Sequence, residues 1–498
     1  MGGGNVLKII IVGGGTSGWM SAATLKKRYP NYHIEVIESD SVPPIGVGES
    51  TTQFFSIWLH YLGLEPKDWM PHCDATYKVS VRFHNFHDVG DVPWQYPFGN
   101  PKTDAQRLDV WFRDAMINKW DNSRLARDHW VSAELATRNV LGEFPNFKLG
   151  RDNGYHFDAS KFAIWLRDNY CLPRGVIHTR GHVEDITYDD DGVKELWLEG
   201  VEEPVTADLF IDCTGFKSML NQTGWKEYDF LPNDRAWVTR VDYRDKTKEM
   251  VNCTDCTALS SGWVWNVPTW DRIGTGYVFS SKYQDEKDAL VEFQDHLDDR
   301  VSENQAYRLI KFSGGRRNEG WWKNVVSIGL SGGFLEPLES NGLLSVHEFL
   351  FYLIRAFGDR QVITQQIRDI YNRICAEKFD DFAAFIGIHY SYTQRNDSPY
   401  WKAVTQRSIH GATHDYAQGA CMITPFKIND AINFHASDSI PAIWGGHGFN
   451  PWNEIVENEI RMYGYEVFES TRHTYKDWDL SECMNTYEYY TKTLYGMS

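Results

Sequence analysis

No apolar run in this sequence approaches the ~18 residues that a membrane span needs. Its start, Met1 and three glycines leading straight into Leu7-Lys8-Ile9-Ile10-Ile11-Val12, lacks a basic segment followed by an apolar stretch and a cleavage site. Secretion and membrane insertion are therefore not expected. Positive charge is short: 50 Lys plus Arg against 68 Asp plus Glu give a formal charge of −18. That argues against a nucleic-acid binder, whose affinity rests on clustered cations. Cysteine is scarce, eight in 498 residues, and the one close pair, Cys253 and Cys256, has no second pair at zinc spacing. The cysteines read as reduced thiols of a cytoplasmic protein. His84 and His87 read as surface histidines, and no metal site is expected. There is no internal repeat, no low-complexity tract and no long Pro/Gly/Ser linker. A chain of this length holds about three units at most, or one large composite domain, and with no linker to separate them its domains are expected to interleave.

What is present begins at residue 8. Lys8 to Val12 is a β-branched run suited to a buried parallel strand. Gly13, Gly15 and Gly18 follow, then a helical stretch to about Tyr29 ending at Pro30, then a second strand from His33 to Ile37 closed by Glu38. This is a βαβ unit with the G-x-G-x-x-G fingerprint of a dinucleotide site and an acid 23 positions after Gly15. The first glycine permits the tight turn, the second lets backbone approach a pyrophosphate, and the third lets helix and strand pack closely. The helix N-terminus faces the negative charge, and Glu38 is placed to accept from a ribose. The unit alone does not separate NAD from FAD. Residues 207–213 read as another buried strand, entering Thr214-Gly215 where open α/β sheets hold ligands. Helical spacing recurs over 158–170, 290–297 and 346–357, and a Gly/Pro/Trp-containing loop spans 439–452. The 20 tryptophans suit either an aromatic core or a pocket for a flat substrate.

Gly262-Trp263-Val264-Trp265-Asn266-Val267-Pro268 resembles the GWxWxIP signature of the flavin-dependent halogenases of the tryptophan halogenase family, with Val267 where Ile is common. Segments 47–51 (V-G-E-S-T), 154–158 (G-Y-H-F-D), 212–216 (D-C-T-G-F) and 334–340 (F-L-E-P-L-E-S) are similar to the same family in its order. The resemblance implies an α/β fold: an FAD-binding Rossmann-like (GR2-type) domain interleaved with a largely helical substrate-binding domain. The expected division gives 1–100, 150–220 and 310–345 to FAD and 101–149, 221–309 and 346–498 to the substrate. It further implies FAD used as FADH2, a separate NAD(P)H flavin reductase supplying it, a halide ion as co-substrate, and hypohalous acid that crosses a tunnel to a small aromatic substrate.

The residue roles come from the same resemblance. Lys78, in A-T-Y-K-V-S-V-R-F, matches the catalytic lysine, whose amine polarises the hypohalous acid or forms a haloamine; spacing alone reads it as a surface lysine on a strand. Glu339 matches the acid that accepts the ring proton, though a carboxylate beside a buried lysine is also what a structural ion pair looks like; Glu336 reads as a support. FAD contacts carry over to Gly13, Gly15, Thr16, Ser17, Gly18, Glu38, Ser39, Ser50, Val183, Leu330 and Leu343. Asn341-Gly342 stands where the family has the Thr-Gly that holds the halide, and this departure favours bromide or iodide over chloride. Trp263 and Trp265 either screen the flavin from substrate or are core. For the substrate, Tyr96 and Phe98 of Y-P-F-G replace a His-Pro-Phe-Gly-like stretch, with Trp444 and Trp452 as further lining. These changes argue against free tryptophan and for a broader indole or phenol class. Two other readings stay open: an FAD-dependent aromatic monooxygenase, which would not need Lys78, Glu339 or the paired tryptophans, and a non-catalytic flavoprotein. A homo-oligomer is also left open.

Overall fold

The computed structural model describes residues 7–40, 48–101, 123–301, 304–358, 363–405, 439–448 and 477–496, with isolated positions between 102 and 122 and between 449 and 476. The chain divides into two compact units, the first made of residues 1–75, 157–229 and 312–380, the second of 76–156, 230–311 and 381–498.

The first unit is built on a six-stranded sheet in the order Trp321–Trp322, Val325–Ser327, Leu209–Asp212, Lys8–Val12, His33–Glu38, Ile177–Arg180. All neighbours run parallel except the Trp321–Trp322 edge. Ile9, Ile10 and Ile11 are fully buried, as expected for a strand covered on both faces. Ile10 and Val12 join Ile37, Phe210 and Val325 in one core cluster. The Thr16–Arg28 helix follows the glycine loop and ends on Lys26, Lys27 and Arg28, which complement its C-terminal dipole. The Asn341–Phe357 helix, which begins five residues before the expected 346, packs against it. Asp158 caps the Ala159–Trp165 helix by accepting from the Ser160 and Lys161 amides.

The second unit centres on a seven-stranded sheet, ordered Arg308–Lys311, Arg235–Val241, Ile273–Phe279, Gly262–Pro268, Cys253–Ala258, Ser80–His84, Trp94–Pro97. Its pairs are antiparallel except that Cys253–Ala258 runs parallel to Ser80–His84. The Glu286–Leu297 helix, capped by Asp285, buries Ala289, Phe293 and Leu297 against this sheet beside Val264 and Tyr277. The helical character expected of this part is found in the latter half of Gln365–Ser391 and in Pro399–Thr405, Ser439–Gly446 and Thr486–Thr493. The sheet beneath was visible in sequence only at isolated runs. All five internal boundaries shift, two of them by more than ten residues. Residues 76–100 fall in the second unit because Ser80–His84 and Trp94–Pro97 are hydrogen-bonded into its sheet, and 346–380 fall in the first because the Asn341–Phe357 helix packs there. Among the described residues no helix is long and apolar enough to cross a membrane.

Candidate active site

In the first unit the glycine loop has the shape its spacing demands. Gly13 sits at φ +114°, and a Cβ on it would stand 2.2 Å from the Cys213 carbonyl oxygen. A Cβ on Gly18 would lie 1.8 Å from the Gly13 carbonyl oxygen, so the helix approaches the loop as closely as backbone allows. At Gly15, the N-cap, an added Cβ meets nothing within 4 Å. That open space lies before a helix N-terminus without a side-chain cap, which is the cradle an anionic group fills. Glu38 reaches back over the loop, its Cδ 2.2 Å from where a Gly14 Cβ would be, and its Oε2 lies 2.9 Å from His178 Nε2. Ser39 Oγ pairs with His182 Nδ1 at 3.1 Å, and the Thr16 hydroxyl donates to the Ala159 carbonyl at 3.3 Å. Leu330 lies in the turn Gly329–Ser331, which abuts the same helix start: a Cβ on Gly329 would be 2.3 Å from Ser17 Oγ. Val183 is part of the unit's core. Asp212, at the end of its strand, is consumed locally by the amides of Thr214 and Leu220.

The segment carrying Glu339 comes to the same unit. Ser340 adopts φ +55°, a left-handed conformation, and its hydroxyl donates to Ser50 Oγ at 3.0 Å. The structure therefore joins two stretches 290 residues apart, one carrying Ser50, expected at the flavin, the other carrying Glu339, expected in catalysis, and leading into Asn341-Gly342, expected at the halide. Glu336, Glu339, Asn341 and Leu343 are buried. The 17-residue helix from Asn341 starts with no side-chain cap, and a Cβ on Gly342 would meet nothing within 4 Å. Its first amides, oriented by the helix dipole and next to open space, can hold a small anion. Glu49, beside Ser50, carried no expectation; burial pushes its carboxyl up to about 7.

In the second unit Lys78 has no exposed surface, which overturns the surface reading drawn from spacing alone. It ends the Thr76–Lys78 strand, which pairs antiparallel with Gly154–Phe157 so that Thr76 stands opposite His156 and Lys78 opposite Gly154. Cross-strand partners share a face, so Thr76, Lys78 and His156 lie on one side, and the glycine leaves room beside the lysine. Lys78 Nζ is 4.9 Å from the centre of the Phe98 ring, and Phe98 meets Tyr96 edge-on at 5.8 Å. His156, present in the G-Y-H-F-D segment but given no role there, is the site residue that sequence reasoning missed. Its Nε2 pairs with Thr254 Oγ1 at 2.7 Å. Burial first, and then the positive charge of Lys78, push its pKa well below the usual histidine value, so the imidazole is neutral.

Trp263 and Trp265 lie on the same face of the Gly262–Pro268 strand, both buried, with ring centres 6.1 Å apart. Gly276 on the next strand clears space for Trp265: a Cβ there would be 2.2 Å from its ring. Trp444 is fully buried, edge-on to Tyr392 at 6.5 Å, on the Ser439–Gly446 helix that packs on Trp94–Pro97. Trp452 and Val47 lie outside the described residues. The surface expectation for the two histidines is corrected as well: the His87 side chain is mostly buried, its Nε2 3.6 Å from Asp91. His84 is not a free surface histidine: its Nε2 lies 2.7 Å from Asp255, whose carboxyl Arg82 also grips with two nitrogens at 2.6 and 2.9 Å. Burial alone would raise the Asp255 pKa, but the Arg82 guanidinium and the hydrogen bonds from His84 and Arg82 hold it well below the ordinary range.

Comparison with known proteins agrees with the geometry. The family model described as tryptophan halogenase matches residues 8–451. The chain is 33% identical over 428 residues to 7-chloro-L-tryptophan 6-halogenase KtzR of Kutzneria sp. (strain 744), covering 80% of this chain and 82% of that protein. It superposes on the apo structure of VirX1 with a TM-score of 0.87 at 33% identity, covering 98% of this chain and 100% of the other. BrvH, a flavin-dependent halogenase from Brevundimonas sp. BAL3, gives 0.82 at 27% identity over 98% and 99%. With the glycine cradle in one unit and the buried lysine in the other, these matches place the chain in the tryptophan halogenase family, as a flavin-dependent halogenase.

Proposed function

We propose that the protein halogenates a small aromatic substrate of the indole or phenol class, with Lys78 delivering the halogen and with bromide or iodide preferred to chloride. FADH2 delivered by a separate reductase would supply, with oxygen, halide and one proton, the oxidising equivalents for hypohalous acid, leaving FAD and water. Gly13, Gly15, Thr16, Ser17 and Gly18 hold its pyrophosphate, and Glu38 accepts from its ribose. Ser39, Ser50, Val183, Leu330 and Leu343 complete the binding surface. Open space at Gly15 supports the cradle assignment. The Asn341 and Gly342 amides hold the halide. Glu49, with a carboxyl that titrates near neutrality, supplies the proton that hypohalous acid formation consumes.

Lys78 Nζ donates to the hypohalous oxygen and polarises the O–X bond. The ring carbon takes the halogen, the departing hydroxide takes a proton from the Lys78 ammonium and leaves as water, and Glu339 accepts the proton the ring loses. Phe98 and Tyr96 stack the substrate, Trp263 and Trp265 keep it from the cofactor, and Trp444 supports the substrate side. The observation that carries this reading is the complete burial of Lys78. Its amine stands over an aromatic face with a glycine opposite, which leaves room beside it for a small oxidant. Free cysteine thiols at all seven described positions suit a cytoplasmic enzyme.

The test is mass spectrometry on a panel of indoles and phenols incubated with protein, FAD, a flavin reductase, NADH, oxygen and each halide. Halide-dependent mass shifts, larger with bromide or iodide and lost in Lys78→Ala, are expected. Incorporation of a single oxygen without halide would replace this reading by the monooxygenase.

A further inference from the structure

The Thr76–Lys78 strand stands at the edge of its small sheet, and what covers that edge comes from the far end of the chain. Tyr77, the residue before Lys78, donates its backbone N–H to the hydroxyl of Tyr490 at 2.6 Å, across 413 residues of sequence. The same hydroxyl lies 3.5 Å from the Tyr77 carbonyl, to which it donates. The residue after Lys78, Val79, donates its N–H to the Asn252 carbonyl at 2.8 Å. On the outer edge the Tyr77 amide and carbonyl are thus held by a side chain, and the amide after the lysine by backbone. A buried edge amide must find an acceptor, and a phenol serves donor and acceptor at once. Burial raises the Tyr490 pKa and so keeps the phenol protonated.

The delivery of that hydroxyl is itself built. Tyr490 is fully buried in the Thr486–Thr493 helix, which Asn485 caps by accepting from the Tyr487 and Glu488 amides. Met484–Asn485 pairs with Val140–Leu141. The Trp270 ring is stacked on Tyr495 at 4.0 Å and on Tyr487 at 5.7 Å, with Lys246 Nζ 4.4 Å from its centre. Tyr490 packs against the Tyr77 ring at 6.0 Å.

We propose that Tyr490 is a positioning residue for halogen transfer: its hydroxyl locks the backbone beside Lys78, so that the amine stands where hypohalous acid must be held. The inference rests on the reading of Lys78 as the halogen-delivering residue. Losing the lock displaces the amine without removing it, and a displacement of about 1 Å in a reacting group costs up to about a hundredfold in rate.

The experiment compares wild type, Tyr490→Phe, Trp270→Phe and Lys78→Ala under saturating substrate. It measures halogenated product, free oxidant captured by a 1,3-diketone scavenger, and FAD affinity. Tyr490→Phe keeps the ring and loses only the hydroxyl. It is expected to lower kcat by about tenfold or more, with KM and FAD affinity unchanged and captured oxidant raised. Trp270→Phe, which loosens the same helix, is expected to show the same split more weakly, and it decides the matter if Tyr490→Phe is not obtained folded. Turnover within twofold of wild type in Tyr490→Phe while Lys78→Ala is inactive overturns the role of Tyr490. So does a parallel loss of product, captured oxidant and FAD affinity, which marks general unfolding. An active Lys78→Ala overturns instead the reading on which the inference rests.

Discussion

Alanine at Gly15 and at Gly18 is expected to separate cofactor binding from folding, although the two positions are three residues apart. At Gly18 the new Cβ would stand 1.8 Å from the Gly13 carbonyl oxygen, and ordinary contact begins at 3.4 Å, so helix and loop must part by about 1.6 Å. Overpacking of this kind costs about 1–3 kcal/mol, against which alanine returns about 0.5–1 kcal/mol as the better helix former. A net loss of up to about 2.5 kcal/mol follows, and the displaced helix start should lose the cofactor as well. At Gly15 the Cβ meets nothing within 4 Å and φ is −74°, open to any residue. The protein itself should lose less than about 1 kcal/mol, as for other N-cap replacements. The methyl group nevertheless occupies the space in which a pyrophosphate meets the helix amides. One such hydrogen bond to a charged group is worth about 1.5–3 kcal/mol, so FAD should bind roughly 10–100 times more weakly. Flavin fluorescence titration gives the affinity, and thermal unfolding without FAD gives the stability. The reasoning fails if Gly15→Ala binds FAD like wild type, or if it melts as early as Gly18→Ala.

Asn341→Thr, at the proposed halide position, should raise the chloride-to-bromide product ratio in competition assays; an unchanged ratio would remove Asn341 from halide choice. His156, whose native pKa lies below its unfolded value of 6.5, contributes stability that is intact above pH 6.5. That contribution falls as the pH drops, because only the unfolded chain then takes up the proton, by up to about 1.4 kcal/mol per pH unit. His156→Gln should therefore melt with a shallower pH dependence between pH 7.5 and 5.5 than wild type, and an equal slope would show that the histidine is not held neutral.

The nucleotide unit was legible because its signals are local. A strand, a turn that only glycine tolerates at Gly13, a helix and an acid within 31 residues each obey short-range rules, and all appear at the expected positions. Lys78 was legible only through resemblance. Its alternation with apolar neighbours is that of any half-exposed strand, and its burial depends on a register with Gly154 and on Phe98, which spacing does not reveal. The pairing of Ser50 with Ser340 and that of His156 with Thr254 bridge 290 and 98 residues. The seven-stranded sheet was hidden for the same reason: its parallel join between Ser80–His84 and Cys253–Ala258 links segments separated by most of the first half of the chain.

The charge balance sharpens the account of anion binding. With a formal charge of −18, the long-range field of this protein repels both a dinucleotide and a halide, so attraction has to be local. The glycine loop from Gly13 to Gly18 contains no lysine or arginine. Of the three described helices of 12 to 17 residues whose N-caps are resolved, only Glu286–Leu297 has its first amides satisfied by a capping side chain, that of Asp285. Thr16–Arg28 begins on Gly15, and Asn341–Phe357 begins on Ser340, a good capping residue type whose hydroxyl is turned to Ser50 instead. Both helices thus begin with no capping side chain on their first amides, which suits the anion sites proposed there. Salt screens exposed charges beyond a Debye length of about 8 Å at physiological ionic strength, but it screens amides in direct contact with a bound group far less. Raising the salt, with a halide-free anion to avoid competition, should therefore leave FAD affinity unchanged or raise it modestly. A steep loss of affinity with salt would instead mean that lysines or arginines outside the loop supply the binding energy.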